Sequence, residues 1–217
     1  MSNSRLLTAA AVALLATPLS ALAHDGHGAI GLAAGFAHPF TGLDHLMAIV
    51  AIGGLAGLLA RRQGLASGVD RTGLASSSAR IAMAACLGLA AGILAAVLGV
   101  RGLHNPLASI GLAEQAVVIG LFAMAAMVLR LERLNAGTVG IAALLVLLPH
   151  GYLHGTAGSG AAFFAGLALA SLALLAVGMS IGRSVARLPL ARARSARLLM
   201  AGALAGCSGW FMLFGAS

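Results

Sequence analysis

Residues 42–62 read GLDHLMAIVAIGGLAGLLARR. After Asp44 and His45 the run is apolar to Ala60, and the Arg61–Arg62 pair closes it. A helix rises about 1.5 Å per residue, so this stretch is long enough to cross about 30 Å of hydrocarbon. Comparable runs follow at 81–100, 109–129, 137–155, 161–182 and 198–216. They predict an all-α polytopic membrane protein with a six-helix transmembrane bundle.

Composition agrees. The 217 residues are 60% hydrophobic and 8% charged, with a mean hydropathy of +1.02. A soluble domain is nearer a quarter charged, and a disordered chain needs low hydrophobicity, so both classes are excluded. The net charge of +8 does not indicate nucleic acid in so apolar a chain. All 13 basic residues are arginine. Without lysine there is no phosphate-binding loop for ATP and no Schiff-base chemistry.

Residues 1–23 have the layout of a secretory signal peptide. Arg5 is the basic start, Leu6 to Ala16 the apolar run, and Ala21-Leu22-Ala23 a small-x-small cleavage site. The mature domain then covers 24–217. Eleven of its twelve arginines fall in three clusters, with Arg101 alone outside them: Arg61, Arg62, Arg71 and Arg80; Arg130 and Arg133; and Arg183, Arg187, Arg192, Arg194 and Arg197. These occupy alternate loops, which the positive-inside rule assigns to the cytoplasm. The expected location is the cytoplasmic membrane of a bacterium, with both mature termini on the periplasmic side.

The GxxxG pairs Gly31/Gly35, Gly53/Gly57, Gly88/Gly92, Gly178/Gly182 and Gly202/Gly206 predict close helix packing in lipid. Cys86 and Cys207 sit in spans without a CxxC pattern, as small buried residues do.

Ionisable groups inside spans mark function, because inserting one costs roughly 2.5–3.5 kcal/mol. The first cluster is His38-Pro39-Phe40-Thr41-Gly42-Leu43-Asp44-His45. Pro39 and Gly42 predict a helix break there. The second is Pro149-His150-Gly151-Tyr152-Leu153-His154. His150 and His154 are spaced i, i+4, which puts two imidazoles on one helix face, as metal ligation requires. Pro149 predicts a kink. Glu114 is the third element.

Asp44 lies 17 residues before Arg61, Glu114 16 before Arg130 and His150 17 after Arg133. Each interval is about 25 Å of helix, so the donors share one height. Imidazole with carboxylate and no thiolate suits Ni²⁺, Co²⁺, Zn²⁺ or Mn²⁺. His24 and His27 at the mature start, and His104 in a short outer loop, are candidate capture ligands.

At these residues the chain resembles the HupE/UreJ family of nickel/cobalt permeases. The motif HPxxGxDH is matched by His38, Pro39, Gly42, Asp44 and His45. A second motif, FHGxAHGxE, is matched by His150, Gly151, His154 and Gly155. It departs at Pro149, Leu153 and Ala157, where the acid is missing. In a third segment Glu114 fits, and Gly120 stands where the family has serine. The resemblance implies a permease for Ni²⁺ or Co²⁺ using His38, Asp44, His45, Glu114, His150 and His154, with no prosthetic group and no enzymatic activity. Two alternatives remain open: a metal-storage or sensor protein without transport, and a rhomboid-like serine protease built on Gly206-Cys207-Ser208-Gly209.

Overall fold

The computed structural model describes residues 31–67, 71–98, 106–156 and 160–214. The signal segment, His24, His27, Arg101, His104 and Ala157 lie outside them. The described residues form seven α-helices and no strand: α1 Leu32–Thr41, α2 Leu43–Ser67, α3 Arg71–Val97, α4 Pro106–Leu129, α5 Ala136–Thr156, α6 Gly160–Val185 and α7 Leu190–Phe214. A 3-10 turn, Leu131–Arg133, joins α4 to α5. Helices α2 to α7 each contain an apolar segment long enough to span a membrane, which makes six spans.

Each boundary has a local cause. Gly31 precedes α1 with φ of +100°, a backbone region that favours glycine. The break predicted over 38–42 falls at Gly42, which is extended at φ −99° and ψ 114°, while Pro39 stays inside α1. Asn135 caps α5, its Oδ1 accepting the Thr138 N–H at 2.9 Å. Helix α5 then runs through Pro149 as one element.

The arginines differ from expectation. Arg61 and Arg62 extend α2, Arg71 and Arg80 belong to α3, and Arg192, Arg194 and Arg197 ride the first turns of α7, which starts at Leu190 and not at 198. Long arginine stems let a helix continue past its apolar window while the charge reaches water. Arg197 donates to Glu132 at 2.6 Å, so the second and third clusters lie at the same end of the bundle.

Backbone contact at glycines sets the packing. A Cβ on Gly53 or Gly57 of α2 would strike the carbonyl oxygen of Leu175 or Met179 on α6. One on Gly178 or Gly182 would strike that of Val50 or Gly54. Gly35 of α1 meets Phe163 of α6, and Gly166 meets Leu32. On the other side, Gly88 and Gly92 of α3 meet Leu144 and Leu148 of α5, while Gly151 and Gly155 meet Leu89 and Ile93. Paired numbers rise together along both seams, so α2 runs parallel to α6 and α3 to α5. Alternating spans one and five, and two and four, must do this. Among the described residues, a Cβ on Gly202 or Gly206 meets nothing within 4 Å, so this GxxxG pair packs against no described helix.

Helix α2 is central. Buried residues make up 78% of its span, against 22% for α7. Its Ile52, Leu55 and Leu59 pack with Leu121, Met124 and Val128 of α4 and Leu147 of α5. Met83, Ile119, Ile141, Leu199 and Met212 are exposed, as lipid-facing side chains are.

Candidate metal centre

The cluster forms where the α1–α2 break meets the end of α5. Gly42 stops α1, and its carbonyl accepts the Leu46 N–H at 3.0 Å, starting α2. Asp44 therefore sits in the first turn of α2, where the helix dipole favours negative charge. The Thr41 hydroxyl donates to the His38 carbonyl at 2.8 Å, satisfying an acceptor beside the break. Helix α5 brings His150 and His154 one turn apart on one face.

Four imidazoles converge. Ring centroids lie 4.6 Å apart for His38–His154, 4.6 Å for His45–His154, 4.8 Å for His45–His150 and 5.7 Å for His38–His45. Asp44, His45, His150 and His154 are buried, and His38 is half-buried. The donors form two overlapping sets. Ligand atoms of His38, His45 and His154 lie within 4.8 Å of one another, and so do those of Asp44, His45 and His150.

Hydrogen bonds orient two of the rings. His150 Nδ1 lies 2.8 Å from the Val146 carbonyl oxygen. A carbonyl only accepts, so Nδ1 carries the proton and Nε2 keeps its lone pair. His45 Nδ1 is 2.9 Å from Asp44 Oδ1. An ionised carboxylate likewise only accepts, which leaves Nε2 of His45 as the ligating atom. Among the described residues, Nε2 of His45 and of His154 are buried without a hydrogen-bond partner. Buried polar atoms are normally satisfied. A divalent cation held among these rings would supply the missing interaction.

Of the six metal residues expected from sequence, five meet here. Glu114 belongs to neither set. It is half-buried on α4, flanked by Ala113 and Val117, which pack against Tyr152 and Leu153 beside the histidines. Sequence reading did not find the Val146 carbonyl as a ring anchor, although it lies four residues before His150. It also missed Phe163 of α6, whose ring is edge-on to His38 at 5.4 Å. Neither Cys86 nor Cys207 joins a donor set. Ser208 is fully buried, and its hydroxyl donates to the Val118 carbonyl at 2.7 Å. A serine nucleophile needs a base to take its proton, and this proton is held by an amide.

Comparison with known proteins identifies the family. The family model described as "HupE / UreJ protein" matches residues 12–212. "Protein HupE" of Rhizobium leguminosarum bv. viciae is 31% identical over 186 residues, covering 83% of this chain and 84% of that protein. No solved structure matches. A six-span bundle with this match over nearly its whole length belongs to the HupE/UreJ family.

Proposed function

We propose that the protein is a secondary transporter carrying Ni²⁺ or Co²⁺ across the cytoplasmic membrane into the cell. The observation that supports this most is the meeting of four imidazoles, three of them buried, and one buried carboxylate inside the span region, with Nε2 of His45 and His154 left unsatisfied. Nitrogen-rich donors with one oxygen suit borderline divalent ions and disfavour Mg²⁺ and Ca²⁺. Family membership favours nickel and cobalt among them.

The arginine-bearing end faces the cytoplasm in this reading, by the positive-inside rule. The cluster then lies in the outer half of the membrane, and His24, His27 and His104 are capture ligands ahead of it. A negative-inside potential favours entry by about 2.3 kcal/mol per charge per 100 mV. The chain supplies no ATP-binding loop, so this potential or an ion gradient drives uptake.

Uptake of radiolabelled Ni²⁺ and Co²⁺ into proteoliposomes, with competition by Zn²⁺, Mn²⁺ and Mg²⁺, tests the proposal. Saturable uptake of nickel or cobalt that Mg²⁺ does not compete away is expected. Tight binding with no uptake overturns it in favour of storage or sensing.

A further inference from the structure

The two donor sets are not equivalent. His38, His45 and His154 are all imidazole, whereas Asp44, His45 and His150 include the carboxylate. His45 is common to both. They also differ in depth, and two independent parts of the chain rank them alike.

On α5, His154 is two residues from the helix end at Thr156. His150 is one turn, about 6 Å, further into the bundle. Along α1–α2, His38 comes first and Asp44 follows beyond the Gly42 break. These two helices advance together beside α6: Gly35 meets Phe163, Gly53 meets Leu175 and Gly57 meets Met179. His38 is therefore nearer the bundle end and Asp44 nearer its middle. The ring contacts match this order, with His38 against His154 and His45 against His150.

We propose that the cluster is two ion stations in series, an end station of His38, His45 and His154 and a deeper station of Asp44, His45 and His150, with His45 as the shared ligand that passes one divalent ion between them. The inference rests on reading the cluster as an ion-binding site and adds its internal order. Because one imidazole serves both stations, they are never filled together. The end station holds an incoming ion by neutral nitrogens alone. The deeper one adds a carboxylate charge and draws the ion inward. His45 stays bound throughout, so the ion exchanges its other ligands without being fully released into the apolar interior.

The test is Ni²⁺ titration of the purified full-length protein in lipid nanodiscs, by calorimetry, with His45, His150 and His154 each replaced by Ala. Wild type is expected to bind one ion per chain. His150→Ala and His154→Ala each leave one station, so both still bind one ion, roughly tenfold or more weaker. His45→Ala and the double variant His150→Ala/His154→Ala lose binding over the same range. X-ray absorption of bound Co²⁺ then finds carboxylate oxygen in His154→Ala and imidazole alone in His150→Ala.

Two ions bound at once in wild type overturn the proposal. So does loss of binding in His150→Ala and His154→Ala as complete as in His45→Ala, which describes a single four-imidazole site. The wild-type stoichiometry and the same titrations on the Gln variants keep the test decisive if an alanine variant does not fold. Proteoliposome uptake by wild type is read separately. Graded binding without uptake fails the transport reading alone, and uptake with ungraded binding fails the two-station reading alone.

Discussion

His45 Nδ1 lies 2.9 Å from Oδ1 of Asp44, the residue just before it. Adjacent side chains on a helix diverge, yet here they meet in the first turn of α2. Asp44 thus orients the imidazole that both donor sets share. Replacing it by Asn keeps the shape and removes the charge. Asp44→Asn should weaken Ni²⁺ binding by about 10- to 100-fold and abolish nickel accumulation in cells, with membrane levels unchanged. Normal uptake by this variant would mean that the cluster is not the transport site.

Acid should release the ion. Metal binds neutral imidazole, and a protonated ring has no lone pair to give. Two to three rings compete with protons at each station, so apparent Ni²⁺ affinity should fall as the pH is lowered. Titrations at several pH values check the sign. Affinity that rises toward acid pH contradicts histidine ligation.

Gly57 and Gly206 carry the same sequence signature and should respond oppositely to a methyl group. A Cβ on Gly57 meets the Met179 backbone carbonyl, whereas Gly206 has nothing within 4 Å. Gly57→Ala should cost about 1–3 kcal/mol and lower the thermal unfolding midpoint in detergent. Gly206→Ala should leave it unchanged.

Ser208 pins α7 to α4 through its bond to Val118. Such interhelical bonds are worth about 0.6 kcal/mol on average in membranes. Ser208→Ala should therefore lower stability slightly and leave nickel uptake intact. Loss of activity with unchanged stability would revive a catalytic role for this serine.

Six spans were legible because hydrocarbon thickness fixes a run length and lysine-free loops mark the ends with arginine. The polar side chains that converge from α1, α2 and α5 were legible because ionisable groups inside an apolar run are costly. Lateral direction was not. Counting residues from Arg130 gives the height of Glu114 but not its bearing around α4, and the donor sets form without it. Glu114→Gln should accordingly leave Ni²⁺ affinity close to wild type in a direct titration. GxxxG spacing likewise announces close approach without naming the partner, which is why Gly53 and Gly202 read alike. The start of α7 was misplaced because charge alone does not end a helix when long stems carry it to water.

The glycine seams have a consequence for how an ion is measured. His38, Asp44 and His45 belong to helices that lie backbone to backbone with α6, and His150 and His154 to one that lies so with α3. Neither seam has side chains between its helices at the glycine contacts, so there is no soft layer to shear. The ligands face each other between the two pairs. If the cluster holds an ion, the separation of these two glycine-sutured pairs would set the size of ion it accepts.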